Sequence, residues 1–544
     1  MTALSLDPPL GSPGQAEQPA GTPQPAGAPQ PAGTPQQAGA PQPAGTPQQV
    51  AEIPSFADLA KTSPWLATIP GLPEATVRWE QELPPVRARL DRLAHSLARP
   101  TLHPSGFSRI GVLFGRSVAA GGRYLGELPA GIWRRLVFGE ELRPARERVM
   151  VHANTVIRKS GPSLVKLGQF AATAQGILPD ELVAGFSWCR DDVPPLDPDE
   201  MRQVILEELG SPPESVFAEF DEEPLAAASI AQAHRAVTLD GRQVIVKVQR
   251  PGLEEAFTRD LRAMALIAFA LEHGSDTARL ANPSGFVDLF ARLVLQEIDF
   301  RLEACNMVEL GLAAEHAEAG FVVFPRPLPA LVTRRVLVME KLDGVPYTDA
   351  EWSSVDAERR SQLLRLVIAG VLEHTLVYGV FHGDLHAGNV LATPDGQLGL
   401  VDYGIVGRIT EPERLALIRF MIGFAMEDTR AQLAAMVEFG AIPPEADLDA
   451  MASKIDAVTP EGEPVTQENL GSALGAVIRV LTSEGFRLPT PLVLFFKNLL
   501  YLNGFAAAVA PDADLLGEIG PIFQYFRSKY GSILDEIVSP PAAG

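Results

Sequence analysis

Apolar and polar positions alternate differently in different parts of this chain. Over residues 355–378, Leu, Val and Ile recur every three to four positions, the period of a helix with one buried face. Residues 254–272 and 285–316 also predict helices. The run AHRAVTLDGRQVIVKVQ, residues 233–249, instead predicts two strands around Asp240-Gly241, a pair favoured in tight hairpin turns. RVLVME, residues 335–340, predicts another strand. VFHGDLHAGNVLATPDGQLGLVDYG, residues 380–404, reads as loop, strand, turn, strand, loop. Beyond 411 the pattern is helical to the end. A small β-containing lobe followed by a larger helical lobe is the expected α+β organisation.

The N-terminal part differs. Residues 21–50 are five copies of a six-residue unit, GTPQPA and its variants. Proline at this density blocks helix and sheet ladders, and few apolar side chains offset the entropy of ordering. Residues 1–56 are expected to form a disordered tail. Residues 57–150 predict an irregular helical region. Within it, Arg109, Arg116 and Arg123 recur at seven-residue spacing among apolar residues. Such a helix can lie on a membrane or pack against the main domain. From 151 a helix is expected, broken near Gly161 and Pro162. Two further segments, 151–342 and 343–544, complete the expected division.

Composition narrows the function. The chain has 544 residues, 46% hydrophobic, with a net charge of −22. Such a charge repels phosphate backbones, so no nucleic-acid partner is expected. Cys189 and Cys305 are far apart in the sequence and outside any metal spacing, as expected of a reducing, cytoplasmic setting. MTALSLDPPL lacks the pattern of a signal peptide. PLVLFFKNLLYLNGFAAAVA, residues 491–510, is the strongest transmembrane candidate, but Lys497, Asn498 and Asn503 interrupt it. A buried or interfacial helix is expected there.

The chemistry concentrates in HGDLHAGN, residues 382–389. Asp384 and Asn389 lie five apart, and Asp402 follows in VDYG. Two carboxylates and an amide at strand ends suit a Mg2+–phosphate site, because magnesium takes hard oxygen ligands. A separate carboxylate can orient an attacking hydroxyl or water. Lys247 is a lone lysine among valines, and burial costs it free energy unless it meets negative charge. Thirteen residues before it ends PLAAASIAQAH, residues 224–234, which by composition is either core helix or a phosphate loop built of alanine.

In this ordered combination the chain resembles the UbiB (AarF-type) family of atypical protein-kinase-like proteins. The resemblance rests on Lys166, Gly168 and Gln169, on Ala226, Ala227, Ala228 and Ser229, and on Lys247. It includes Glu297 and Asp299, followed by Glu303 and Asn306, and the two loops above. LPDELV…DDVPPL at 178–196 also fits. The resemblance spans roughly 150–410 and does not cover the repeats.

It implies a bilobal kinase-like fold with ATP between the lobes and Mg2+ as cofactor. The alanine-rich stretch becomes a nucleotide loop, stiffer than glycine but small enough for close approach. Lys247 would hold phosphates and pair with Glu303, with Glu297 as the fallback on the same helix. Asn389 and Asp402 would bind metal, and Asp384 would act on the acceptor. Backbone groups of Glu340 and Leu342 would meet adenine, with Met339 behind. Lys166, Gly168, Gln169, Glu297 and Asp299 would form a family-specific element over the site that disfavours protein substrates. The family's role implies isoprenoid-quinone or related lipid metabolism, a lipid-like small molecule, peripheral membrane contact and partner enzymes. Two alternatives stay open: a nucleotide-gated scaffold with little turnover, and a small-molecule kinase of the aminoglycoside or choline type.

Overall fold

The architecture follows from where valine-rich strands and apolar-striped helices can bury their faces. The computed structural model describes residues 54–138, 154–172, 194–274, 282–317, 319–346, 357–426, 428–458 and 489–509, with 524, 528 and 529. The hexapeptide repeats and the 178–193 stretch lie outside the described residues. So do Cys189, residues 139–153 and the helical expectation for 459–488.

Helices α1 (Phe56–Thr62), α2 (Pro64–Ala67), α3 (Leu72–Ala98) and α4 (Pro104–Phe138) form the N-terminal region. Helix α5 (Pro162–Ala172) starts after Gly161, whose φ of +96° ends the helical segment 154–160. Pro162 then serves as an initial helical residue that needs no amide donor. Helix α6 (Pro198–Leu209) is capped by the Asp197 side chain and stopped by Gly210 at φ +72°.

The main sheet holds β1 (Phe217–Phe220), β2 (Ala226–Ala227), β3 (Ala231–Thr238), β4 (Gln243–Gln249), β6 (Pro327–Val332) and β7 (Val336–Glu340). Its order is β1-β3-β4-β7-β6, with β2 paired to β3. All its pairings are antiparallel, and the Asp240-Gly241 turn joins β3 to β4 as expected. Val244, Val246 and Val248 pack with Val336 and Val338 against Met201, Val204 and Ile205 of α6. Side chains alternate across a strand, so Lys247 emerges on the opposite face.

That face meets α9 (Phe300–His316), preceded by α7 (Leu253–Gly274) and α8 (Pro283–Gln296). One continuous helix over 285–316 was expected; the chain breaks at Glu297–Asp299. The reason is competition for backbone groups. Gln249 Nε2 donates to the Ile298 carbonyl at 2.9 Å, and Phe300 N–H donates to the Arg334 carbonyl at 3.0 Å. Asp299 then caps α9, accepting from Arg301 N–H at 3.2 Å. Glu297 and Glu303 therefore stand on different elements.

The helical lobe contains a second sheet, in the order β5 (Val322–Val323), β11 (Leu398–Leu400), β10 (Val390–Ala392), β8 (Val345–Pro346). It also holds a β9 (Val380–His382)–β12 (Val406–Arg408) pair. Helix α10 (Ala357–Glu373) runs into a π-turn, His374–Tyr378, ended by Gly379 at φ +68°. Helices α11 (Glu411–Ala425), α12 (Thr429–Glu438), α13 (Leu448–Val458) and α14 (Thr490–Val509) follow. Leu492, Leu494, Phe495, Phe496 and Leu502 of α14 are buried. Among the described residues no helix is long and apolar enough to cross a membrane.

In α4, Arg109 and Arg116 bond to neighbouring elements. Arg109 is buried and pairs with Asp260 of α7 at 2.5 Å, while Arg116 bonds the Lys159 carbonyl. Phe107, Phe114 and Val118 face solvent. The side chain of Arg123 lies outside the described residues.

Candidate active site

Four acids and three lysines meet where the two lobes of the chain adjoin. Lys247 Nζ reaches Glu303 Oε1 at 2.5 Å and Asp402 Oδ1 at 3.2 Å. The first contact crosses from β4 to α9, the second from the main sheet to the loop after β11. Of the two acids considered for Lys247, it meets Glu303. Glu297 instead takes Lys166 Nζ of α5 at 2.6 Å. Both lysines are largely withdrawn from solvent, which alone would favour their neutral form, but the surrounding carboxylates raise both pKa values and keep them charged.

Asp402 adopts φ +64°, a left-handed conformation uncommon outside glycine. Its Oδ1 accepts from Gly404 N–H at 3.3 Å, a local bond that helps an aspartate tolerate this backbone. Its side chain is 53% exposed, so the carboxylate is open to a ligand. Against desolvation by the surrounding protein, Lys247 and Lys166 hold it well below the usual carboxylate range.

The loop carrying Asp384 is held from several sides. Gly383 N–H donates to the Ile405 carbonyl at 2.9 Å. A Cβ at Gly383 would lie 2.7 Å from Ile405 Cγ2, so the close approach requires glycine. Asn389 Nδ2 donates to the Asp384 carbonyl at 2.9 Å, which leaves Asn389 Oδ1 as its acceptor atom. Val401 N–H donates to the Asn389 carbonyl at 3.0 Å and ties this loop to the strand leading into Asp402.

Two residues that the sequence showed only as interruptions of an apolar run complete the loop's support. Lys497 Nζ of α14 lies 2.8 Å from Asp384 Oδ1, and Asn498 bonds the His382 carbonyl. Burial would raise Asp384, but Lys497, His386 and Lys166 outweigh it and hold the carboxyl at about 2. The signal was present: a lysine and an asparagine in an apolar helix must find polar partners if buried.

The alanine stretch forms a tight turn between two paired strands. Ala226 and Ala227 form β2, and the turn at 228–230 joins it to β3. The Ser229 hydroxyl is buried and donates to Gln169 Oε1 at 3.1 Å. Gln169 and Lys166 thus reach the hairpin and the acid cluster from one helix, with Gly168 between them. Asp299 stands outside the cluster as the cap of α9 and pairs with Arg301 at 2.6 Å.

Met339 and Glu340 end β7, and Leu342 follows in the connection to the helical lobe. Glu340 N–H donates to the Arg326 carbonyl at 3.0 Å, and its side chain pairs with Arg326 at 2.6 Å. Any adenine contact from Glu340 would therefore use its carbonyl. Asn306 Nδ2 donates to the Tyr403 carbonyl at 2.8 Å, while Arg87 and Arg408 donate to Asn306 Oδ1. Helix α3 is thereby wired to the Asp402 loop.

The donor set fits a magnesium ion shared with phosphates. Asp402 and Asn389 would supply two hard oxygens, and magnesium typically takes its remaining ligands from phosphate and water. Among the described residues no cluster of three or more His, Cys, Asp or Glu could hold a metal by itself.

Known proteins similar to this chain share one family. A family model described as ABC1 atypical kinase-like domain matches residues 189–436. An uncharacterized chloroplastic aarF domain-containing protein kinase of Arabidopsis thaliana is 31% identical over 461 residues, 79% of this chain and 84% of its own. A probable protein kinase UbiB of Pseudomonas entomophila is 32% identical over 376 residues, 67% of this chain and 68% of its own. An uncharacterized Mycobacterium tuberculosis protein is 31% identical over 412 residues, 73% of this chain and 80% of its own. A solved Mycobacterium tuberculosis protein in complex with erythromycin is 25% identical, covers 58% of this chain and 83% of its own, and superposes with a TM-score of 0.40. With the kinase-like two-lobe arrangement and these relatives together, the chain belongs to the UbiB/AarF family of atypical kinase-like proteins.

Proposed function

We propose that this chain binds ATP with Mg2+ and carries out phosphoryl chemistry, as an ATPase or as a kinase for a lipid-like acceptor. The observation that carries the reading is the convergence of Lys247, Glu303 and Asp402 with Asp384 and Asn389, drawn from both lobes. Lys247 would bind the α and β phosphates, with Glu303 keeping its ammonium in place. Magnesium at Asn389 and Asp402 would neutralise phosphate charge. Asp384, ionised and fixed, would orient the acceptor oxygen and take its proton. Catalysis here is positioning and charge stabilisation, which such an arrangement supplies without covalent chemistry.

A lipid-like acceptor fits better than a protein one. Gln169 bonded to Ser229 and Lys166 bonded to Glu297 bring α5 against the loop and the acid cluster, which would restrict the approach of a bulky protein segment more than that of a small acceptor. An acceptor in isoprenoid-quinone or related lipid metabolism, with the protein touching the membrane peripherally, follows from the family, and a cytoplasmic setting follows from the two distant cysteines. The same closure supports a second reading, a scaffold gated by nucleotide with little turnover and with partner enzymes as its output.

The test is magnesium-dependent ATP hydrolysis by the purified protein, with and without lipid vesicles. Asp384→Asn and Lys247→Ala should each lower turnover by about 10²–10⁴-fold. Tight ATP binding with no turnover under any condition would favour the scaffold. Stoichiometric transfer to a protein substrate would sink the lipid-acceptor assignment.

A further inference from the structure

The loop 382–389 contains an acid and two histidines but neither lysine nor arginine. Its own cationic candidate nearest Asp384, His386, uses Nδ1 to accept from Gly388 N–H at 3.1 Å. The cation at Asp384 comes from 113 residues away, on α14. Lys497 is one of only eight lysines in the chain, and three of the eight, with Lys166 and Lys247, stand at these four acids. Its side chain is 10% exposed, on a helix whose Leu494, Phe495, Phe496 and Asn498 are buried. Tyr501, one turn on, places its ring 5.3 Å from the ammonium.

A buried ion pair is weak support for stability, because apolar replacements of similar size are often as good. A structural explanation therefore leaves the choice of lysine, and its aim at the reacting carboxylate, unaccounted for. Asn498 beside it grips the His382 carbonyl of the same loop, so α14 holds both the backbone and the carboxylate. Lys497 donates to Asp384 Oδ1, and the carboxylate has a second acceptor oxygen, Oδ2, with which to meet an acceptor group. A group oriented by Oδ2 lies within a few ångströms of the ammonium.

We propose that Lys497 is a further catalytic residue of this site, fixing Asp384 through Oδ1 and contacting the phosphoryl group in transfer. This rests on the phosphoryl-transfer reading above. The acceptor oxygen bonds to the γ-phosphorus as the bond to the ADP oxygen breaks. The acceptor's proton passes to Asp384 Oδ2, and the ammonium keeps its three protons. Its charge compensates the equatorial phosphoryl oxygens. Lysine suits this better than arginine as a compact point charge that can share itself between a carboxylate and a phosphoryl oxygen.

The experiment compares wild type with Lys497→Met, Lys497→Arg and Asp384→Asn on two readouts. The first is steady-state ATP turnover with magnesium. Lys497→Met should lower kcat by about 10²-fold with KM for ATP within about twofold, and Lys497→Arg should recover about tenfold of the loss. The second needs no turnover: binding of MgADP with and without aluminium fluoride, a mimic of the phosphoryl group in flight. Wild type should bind the fluoride complex tighter than MgADP, and Lys497→Met should lose that gain while binding MgADP normally. Wild-type kcat together with a wild-type fluoride gain in Lys497→Met overturns the assignment. So does a variant that loses MgADP binding and is not rescued by arginine, since that is a folding role. Failure of the parent reading looks different: wild type itself then binds no MgADP, and the inference falls with it.

Discussion

The sheet end and the helical end of the site are held by different physics. At the sheet end, Lys247 rides on β4 between neighbouring strands. Its flanking valines are fully buried, and Phe300 lies beneath the ammonium, 5.7 Å from ring centre to Nζ. Ladder hydrogen bonds and close packing set the position. At the helical end, polar contacts do it: Lys497 on Asp384, Asn498 on His382, and Asn389 on the Asp384 carbonyl. Beside them is a cavity of ≈ 30 Å³ lined by apolar side chains with His374 and His382. The Nε2 atoms of both histidines are buried without a hydrogen-bond partner. One end should therefore answer to lost volume, the other to charge and pH.

The largest stability effect should come from the sheet end. Phe300 is fully buried, and Phe300→Ala should cost about 3–5 kcal/mol, similar at neutral and mildly acidic pH, by urea denaturation. A strongly pH-dependent cost there would erase the contrast.

Next is His374. Burial pushes its pKa down to about 4, and no charged group opposes it. The folded state thus resists protonation that the unfolded chain accepts near pH ~6.5. Stability is full above that pH, is lost as pH falls toward about 4, and levels off below. The loss should approach ~3 kcal/mol. His374→Phe keeps the ring and removes the titration, so the variant should gain on wild type by about that amount from neutral pH to about pH 4, by urea denaturation. Parallel pH curves for the two proteins would show that the helical end is not held in this way.

The smallest effect tests the bridge between the two. Ser229→Ala removes one hydrogen bond to Gln169 and should cost about 1 kcal/mol by the same measurement. If the α5 contact restrains the loop, the variant should also bind MgATP with a faster on-rate in stopped flow.

The two ends were also unequally legible in the sequence. The β3–β4 hairpin, β7 and the β10–β11 pair after Asn389 could be read from local spacing, because strand period and turn residues act over a few positions; β9, where a loop was expected, pairs with β12 from beyond the site. Asp384, Asn389 and Asp402 were adjacent enough to be seen as a set. The break at Glu297–Asp299 was not visible, because Gln249 and Arg334, which take those backbone groups, come from other parts of the chain. The inward turn of Arg109 depended on Asp260, 151 residues away.

By itself, the sequence determined which segments could be strands or helices, and which residues could carry phosphate and metal chemistry. Those choices follow from backbone preference and side-chain type, which are local. Tertiary structure decided the pairing: Glu303 rather than Glu297 for Lys247, Lys166 for Glu297, and Lys497 for Asp384. A buried charge must be matched by whichever opposite charge the fold brings within about 3–4 Å, and sequence distance does not enter that condition.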